Sequence, residues 1–352
     1  MSSIAESRIA TDGDRRAVVI WLYGVAALVF VMVVVGGITR LTESGLSMVE
    51  WHPVTGWLPP LSDAAWQAEF EKYKNFPEYL KVNAGMSLDD FKMIYAWEFG
   101  HRLLGRIIGI AFFVPLVFFL VTGRIRRSEA PWFVFLLIAG GSQGALGWYM
   151  VQSGLIDNPD VSQYRLAAHL FLAFAIYALL VWTAWAVRRG AAPAPAVPSG
   201  FRRAATVLAV LTAVQIVVGA FVAGTNAGFA YSTWPTMDGD LIPPYMFETS
   251  PWWLAAFEDI TTIQFLHRVT GYLVGFAALA LFLVGRRGSG TARRAGTAAF
   301  HLVILQIVLG IATLLMVVPV WLGALHQATA LLVWTAAVFA LRLGWIGRRG
   351  AA

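Results

Sequence analysis

Eight long apolar runs dominate the sequence and restrict what the chain can fold into. A hydrocarbon layer of about 30 Å requires roughly 20 helical residues to cross it, and each run approaches that length. Hydrophobic residues make up 58% of the 352 residues and charged residues only 13%, which is more apolar surface than one soluble core can bury. We therefore expect an all-α polytopic membrane protein with eight transmembrane helices. The predicted spans lie near residues 17–38, 99–121, 131–151, 166–187, 204–224, 263–284, 297–318 and 323–342.

The basic residues lie near the two ends and in alternate connections between the runs, as Arg188 and Arg189 do after the fourth run. Short connections rich in Lys and Arg stay in the cytoplasm, so both termini are expected there. The long connections 39–96 and 225–262 are then expected to face outward. The net charge of +6 reflects this topology, and no nucleic-acid partner is expected. The first run lacks a convincing cleavage site and is interpreted as a retained helix.

A motif that occurs twice divides the chain into similar halves. The pattern His-Arg-x-x-Gly begins at His101 in the second run and again at His267 in the sixth, and each half holds one further histidine, His169 or His326. Four helices per half predict two parallel repeats related by a pseudo-twofold axis along the membrane normal. The predicted parts are an N-terminal four-helix bundle, 17–187, a Pro- and Ala-rich cytoplasmic linker, 188–203, and a C-terminal four-helix bundle, 204–345.

These four histidines are the candidate metal ligands. All are expected at a similar depth near the outer surface, and two imidazoles per half can face each other across a bundle, which suits a haem iron. A single membrane histidine is more often a satisfied polar residue, but four paired by repeat favour ligands because ionisable groups in membranes are costly. His52 and His301 lack such a counterpart and are assigned to structure. The absence of cysteine excludes disulfides, iron–sulfur clusters, covalently attached haem and thiol catalysis.

The halves differ three residues before the first histidine. Glu98 precedes His101, whereas Gln264 precedes His267, and residues three apart lie on nearly the same helix face, roughly 4.5 Å apart along the axis. A carboxyl at this place is a candidate acid or base beside the haem. The alternative is an ion pair with Arg102, and the sequence does not separate the two.

Other residues near the histidines allow two interpretations each. Arg102 and Arg268 directly follow a histidine and are candidates for pairing with haem propionates, with lipid headgroups as the alternative. Three helices contain Gln-x-x-x-Gly, beginning at Gln143, Gln215 and Gln306. Tight helix packing with the amide as a polar link explains this motif, and a glycine that makes room for a flat ligand is the functional alternative.

Two helix starts are predicted from capping residues. Ser87, with Asp90 three residues later, resembles a capping box and places the start of the second long helix outside the membrane. Ser250 followed by Pro251 is the matching signal for the sixth, since proline suits the first helical position.

Together these features resemble the haem A synthase family of eight-helix membrane proteins. The resemblance covers about residues 20–345 and rests on the Gly- and hydroxyl-rich segment 36–47, Glu98-x-x-His101-Arg102, Gln143-x-x-x-Gly147 and the four histidines. It implies an oxidoreductase that converts a methyl group of haem O to the formyl group of haem A through an alcohol and a hydrated aldehyde. It also implies a bacterial inner-membrane protein with haem sites toward the outer face.

The resemblance implies a role for each matching residue. His101 and His169 would hold the substrate haem, while His267 and His326 would hold a haem B that passes electrons onward. Glu98 matches the family's essential carboxylate, with a role in proton transfer. Some members carry paired cysteines in the outward loops; this chain has none, so the electron acceptor stays open.

Two other functions compete with this interpretation. A di-haem electron carrier of cytochrome b type would use the same histidines, but it does not need the difference between Glu98 and Gln264. A transporter is disfavoured, because neither half shows a broken helix or an acidic midplane site. Expected partners are haem O, membrane lipid, haem O synthase, an electron acceptor and terminal oxidase assembly factors, and a homo-oligomer is an open alternative.

Overall fold

Helices account for nearly all of the regular structure. The computed structural model describes residues 12–52, 55–156, 159–190, 192–288 and 290–349. In chain order the α-helices of these ranges are α1 Asp12–Leu41, α2 Asp63–Tyr73, α3 Pro77–Lys81, α4 Leu88–Val121, α5 Ala130–Gly154, α6 Gln163–Arg189, α7 Phe201–Gly224, α8 Ala255–Glu258, α9 Ile260–Arg286, α10 Gly290–Leu315 and α11 Val320–Ile346. Two 3-10 turns, Ala227–Phe229 and Trp252–Leu254, and a two-residue parallel strand pair, β1 Ala196–Val197 with β2 Arg348–Arg349, complete the elements.

The predicted all-α, eight-span class is confirmed. Among the described residues, eight helices are long and apolar enough to cross a membrane, namely all except α2, α3 and α8. Each corresponds to one predicted span, and all except α10 contain that span completely, because polar first and last turns continue the helix past the apolar segment. The parallel repeat and the cytoplasmic termini stay predictions.

One of the two predicted helix starts is correct. Ser87 caps α4, and its Oγ accepts a hydrogen bond from the backbone N of Asp90 at 3.2 Å. The start at Ser250 and Pro251 is wrong, because Pro251 leads only into a 3-10 turn and the short α8. Asp259 then adopts an extended backbone and caps α9, with its Oδ1 accepting from Thr262 N at 2.7 Å.

The seventh predicted span also ends too late. It was expected to reach residue 318, but α10 ends at Leu315, and Val317 and Val318 have positive φ angles of 59° and 53°. Pro319 caps α11, and a proline disfavours helical backbone in the residue before it. The turn between α10 and α11 is therefore set by Pro319.

Contacts divide the chain into two units, with the boundary inside α6 between Ile176 and Tyr177. In the first unit, α1 packs along α4, and α4 also contacts α5. The ring of Trp21 joins these helices, since it lies 4.9 Å from Phe112 and 5.9 Å from Phe133, and its Nε1 donates to Ala111 O at 2.8 Å. The predicted division into two functional bundles that end and begin at residues 187 and 204, with the linker 188–203 between them, is still a prediction.

The long connection 39–96 is folded, which the sequence reasoning did not predict. Helices α2 and α3 and the first turns of α4 enclose a group of buried side chains that we call the loop cluster: Met48, Phe70, Tyr73, Phe91 and Tyr95. The Phe91 ring lies 5.0 Å from that of Phe70 and 5.1 Å from that of Tyr73. Burial of aromatic rings, each worth a few kcal/mol, stabilises this connection as a small core above the first unit's helix ends.

A buried carboxyl gives the loop cluster a pH dependence. Burial raises the pKa of Glu78 to about 8, although the Tyr73 hydroxyl donates to Glu78 Oε2 at 2.9 Å. The Asn83 amide in turn donates to Tyr73 Oη at 2.8 Å. The negative charges of Glu98 and Glu43 act in the same direction as burial. Glu78 is therefore neutral in the folded loop at neutral pH.

We expect the loop to lose stability between about pH 4.5, the ordinary pKa of a glutamate, and about pH 8. In that window the unfolded loop releases the Glu78 proton and the folded loop retains it, so stability falls by at most about 1.4 kcal/mol per pH unit. Amide hydrogen exchange in α2 and α3, measured from pH 5 to pH 9 and corrected for intrinsic rates, reports this loss. The Glu78→Gln protein should show little dependence; equal dependence in both proteins contradicts the assignment.

In the second unit, α7, α9, α10 and α11 pack around one apolar core. The C-terminal part of α6 joins it through Trp185, whose ring lies 4.7 Å from that of Phe339. Arg342 contacts the rings of both Trp182 and Trp185, with its guanidinium carbon 4.6 Å and 5.4 Å from their centroids. Cation–π contact thus compensates the burial of this charge.

Candidate functional site

The four predicted ligands lie on four long helices, and each imidazole packs against a glycine of a neighbouring helix. His101 is on α4, His169 on α6, His267 on α9 and His326 on α11. A Cβ atom added to the facing glycine would lie 2.9 to 3.1 Å from the ring. The pairs are Gly36 with His101, Gly147 with His169, Gly219 with His267 and Gly310 with His326. A side chain at any of these glycines would displace the ring or the helix.

The structure brings the histidines together in the predicted pairs. In the first unit His101 and His169 are close enough for their rings to interact electrostatically, and in the second unit the same holds for His267 and His326. Their role as ligands stays a prediction. His52 is exposed and contacts Glu50 Oε2 at 3.1 Å, while His301 Nδ1 lies 2.8 Å from Thr297 O.

The glutamine and the glycine of each Gln-x-x-x-Gly motif both contact the imidazole of one of these histidines. Gln143 Nε2 lies almost equally far from both ring nitrogens of His169, 3.1 Å from Nδ1 and 3.2 Å from Nε2, and donates to His169 O at 3.0 Å. Gln306 Nε2 lies 3.2 Å from His326 Nδ1. The glycine of the motif therefore makes room for an imidazole, an arrangement that neither sequence interpretation named. A Gln-x-x-x-Gly motif followed by a histidine on the next long helix is the sequence signal that could have predicted this contact.

The third motif has an additional hydroxyl. Gln215 Nε2 lies 3.1 Å from His267 Nδ1 and donates to His267 O at 3.1 Å, and the Thr270 hydroxyl donates to Gln215 Oε1. These contacts hold the ring of His267 between α7 and α9.

Glu98 is buried, with 3% of its surface exposed, and both of its oxygens are engaged. Oε2 accepts hydrogen bonds from Ser47 Oγ and from Met48 N, both at 2.7 Å. Oε1 accepts from Arg102 Nη2 at 2.5 Å, which is the ion pair that the sequence offered as an alternative. The carboxylate therefore connects α4 to the segment that follows α1, a contact that the sequence reasoning missed.

Arg102 extends this connection. Its Nη1 donates to Glu50 O at 2.9 Å and its Nη2 to Met48 O at 2.8 Å. Arg102 is thus bound to protein groups, and a contact with a haem propionate stays a prediction.

The second unit repeats the arrangement with an amide in place of the carboxylate. Gln264 Nε2 donates to Tyr231 O at 3.0 Å, and Arg268 Nη1 donates to Thr236 O at 3.2 Å. Gln264 Oε1 and Arg268 Nε are buried, and within the described part of the chain neither has a hydrogen-bond partner. One unit thus places an acid one turn before its histidine, while the other places a neutral amide there.

The donor set fits a haem. The described residues contain no group of three or more His, Cys, Asp or Glu side chains that could hold a bare metal ion, but a haem iron takes only two axial ligands from the protein. An imidazole bound through Nε2 carries a proton on Nδ1 and needs an acceptor there. Gln143 Oε1 and Gln306 Oε1 are buried and, among the described residues, have no partner. These two oxygens are the buried acceptors that the described residues leave open beside His169 and His326.

Comparison with known proteins shows the family to which the chain belongs. The family model of COX15-CtaA, cytochrome oxidase assembly protein, matches residues 19–338. A heme A synthase of Parvibaculum lavamentivorans is 50% identical, covering 94% of both chains. One of Nitrosospira multiformis is 48% identical, covering 92% of both, and one of Bradyrhizobium diazoefficiens is 52% identical, covering 94% of this chain and 92% of that one. The chain therefore belongs to the COX15-CtaA family of cytochrome oxidase assembly proteins.

Proposed function

We propose that this protein is an oxidoreductase that converts the methyl group of haem O to the formyl group of haem A in two successive oxidations. The observation that carries the proposal is a difference between the two units three residues before the first histidine of each pair. Each holds a histidine pair, but only the first places a buried carboxylate, Glu98, next to it. Similarity over almost the whole length to proteins named heme A synthase supports the same reaction.

His101 and His169 would bind the substrate haem, and His267 and His326 would bind a haem B. A bound haem B supplies one-electron transfer, which suits a unit in which Gln264, an amide that does not ionise, stands at the position of Glu98. Arg268 has a buried Nε that remains available to a propionate, because no described residue accepts from it. Arg102 would contact a propionate of the other haem while its Nη1 and Nη2 stay bound to Glu50 O and Met48 O.

Glu98 would accept the protons that each oxidation releases from the substrate carbon. It lies three residues before His101 on α4, so both side chains face the same side of the helix. Ser47 Oγ, which donates to Glu98 Oε2, gives the proton a route toward the loop. Because the carboxylate is buried and held by three donors, its position relative to the substrate is fixed before reaction.

The two units would be parallel repeats. Equivalent contacts support this, since the connections after α1 and α7 are each held by a residue pair one helical turn apart on the next long helix: Glu98 and Arg102, or Gln264 and Arg268. The basic connections support a topology in which both termini would lie in the cytoplasm and the haem sites toward the outer face of a bacterial inner membrane. Haem O synthase, an electron acceptor and oxidase assembly factors are the proposed partners.

Chromatography of haem extracted from the purified protein, expressed with haem O available, tests the proposal. We expect haem B together with haem A, haem O or an alcohol intermediate. Extraction without covalent cleavage should suffice, since the chain has no cysteine for thioether attachment. Haem B alone, at two per chain, contradicts the proposal and indicates a di-haem electron carrier.

A further inference from the structure

Three of the four histidines are held by a glutamine amide, and His101 is not. Gln143, Gln215 and Gln306 each lie within 3.2 Å of a ring nitrogen of their histidine. We call this contact the amide clamp. In the described part of the chain no side chain forms a hydrogen bond with the ring of His101.

Met32 occupies the place of the missing glutamine. It precedes Gly36 by four residues, as Gln215 precedes Gly219. A Cβ at Gly105, four residues after His101, would lie 3.4 Å from Met32 Cε. A Cβ at Gly271, four residues after His267, would lie 3.5 Å from Gln215 Nε2. The thioether and the amide therefore stand at equivalent positions in the two units.

The residue that supports the clamp is also replaced. Thr270 follows His267 by three residues and its hydroxyl donates to Gln215 Oε1. Leu104 follows His101 by three residues and has no polar group to offer. Both members of the polar chain, Thr270 and Gln215, thus have apolar counterparts beside His101.

The ring of His101 is also turned differently. Its Nε2 is the atom nearest to the glycine that faces it, 3.0 Å from a Cβ at Gly36. For the three clamped histidines, including His267, the nearest atom is Cε1. The ring of His101 therefore presents Nε2 to α1, whereas the other three rings present Cε1 to the helix that faces them.

We propose that His101 is the exchangeable ligand of the substrate haem. Its ring lacks the amide clamp because Met32 and Leu104 stand at the positions that Gln215 and Thr270 occupy in the second unit. This rests on the proposed function. A substrate haem has to enter and leave after oxidation, whereas an electron-carrying haem has to stay, so one weakly held ligand is required in the first unit only. Loss of a partner that orients a ligand weakens metal binding about 10- to 100-fold.

A reciprocal exchange of the two residue pairs tests this. Met32→Gln with Leu104→Thr introduces the clamp at His101, and Gln215→Met with Thr270→Leu removes it at His267. Carbon monoxide binds a reduced six-coordinate haem only after one axial ligand leaves, so a CO titration of the haem-loaded protein measures lability. Haem content is measured first in each protein.

In the wild-type protein we expect one haem to bind CO and the other to resist it. The first exchange should weaken CO binding about 10-fold, and the second should make the resistant haem bind CO about 10-fold more tightly. Each exchange changes residues of one unit only, so comparison of the two exchanged proteins shows which unit holds the haem that binds CO. If one exchanged protein does not fold, the other decides.

Equal CO binding by both wild-type haems, or exchanged proteins that load both haems and bind CO as the wild type does, overturns the inference. The identity of the extracted haem reports separately on the proposed function. Haem B alone contradicts that function, while the CO comparison between the units still decides whether His101 is the labile ligand.

Discussion

The Glu98→Gln protein should retain both haems and form at least about 100-fold less haem A, because general acid–base groups contribute about 10²- to 10⁴-fold to rate. The histidines are unchanged, so haem binding should persist. An amide at this place neither accepts the protons released in oxidation nor returns them. Haem A per bound haem, measured by chromatography of extracts, gives the result.

The structure adds a complication that the sequence did not suggest, because Glu98 also holds the connection after α1. Its two oxygens accept from Ser47 Oγ, Met48 N and Arg102 Nη2. Glutamine offers only one acceptor oxygen, so one side of this contact is lost and an NH₂ group faces a donor. A fall in haem A formation therefore has two physical causes, which a matched variant separates.

Ser47→Ala is that matched variant. It removes one donor to Glu98 Oε2 and leaves the carboxylate in place. If proton transfer is the main role, Ser47→Ala should reduce haem A formation by about 5-fold at most, which corresponds to a single hydrogen bond of about 1 kcal/mol. Limited proteolysis of the connection reports how far it loosens in each protein. Equal loss of activity and equal loosening in both variants contradicts an acid–base role for Glu98.

Most of the fold was predictable because membrane-spanning helices leave a strong pattern in the sequence. A span needs a long apolar segment, and each of the eight appears as such in the sequence. Helix α2 was missed because it is short and lies within a polar connection. Its signal was nevertheless present: Trp66, Phe70 and Tyr73 recur at helical spacing after Ser62, whose Oγ accepts from Ala65 N at 3.2 Å.

The candidate site was predictable to a smaller extent. The repeated His-Arg-x-x-Gly motif and the difference between Glu98 and Gln264 are local patterns, and they pointed to residues that the structure places together. The contact of Gly36 with His101 joins α1 and α4 across a long stretch of chain, and no spacing rule encodes it. The start of α9 and the end of α10 were missed for a different reason. Asp259 caps α9 and Pro319 caps α11 only in the backbone conformations that tertiary structure gives them.

The glycines that face the histidines should be as important for haem binding as the ligands themselves. Gly147→Ala adds one carbon atom 2.9 Å from His169 Cε1, closer than such atoms approach one another in proteins. The ring has to turn away, and the amide contact with Gln143 is lost with it. We expect haem bound in the first unit to fall about 10-fold or more, while the second unit keeps its haem. Haem per chain, measured by absorbance after purification, should drop from two toward one.

Gly144→Ala supplies the control, because it adds the same atom to the same helix one turn earlier, where no other atom lies within 4 Å. Both variants raise helix propensity equally, so any difference between them comes from the ring contact. Gly310→Ala should produce the opposite loss, since the added carbon lies 2.9 Å from His326 Cε1 in the second unit. Two haems in Gly147→Ala, with an unchanged spectrum, would show that His169 tolerates displacement and does not bind iron. Loss of the same haem in Gly147→Ala and Gly310→Ala would contradict the assignment of one haem to each unit.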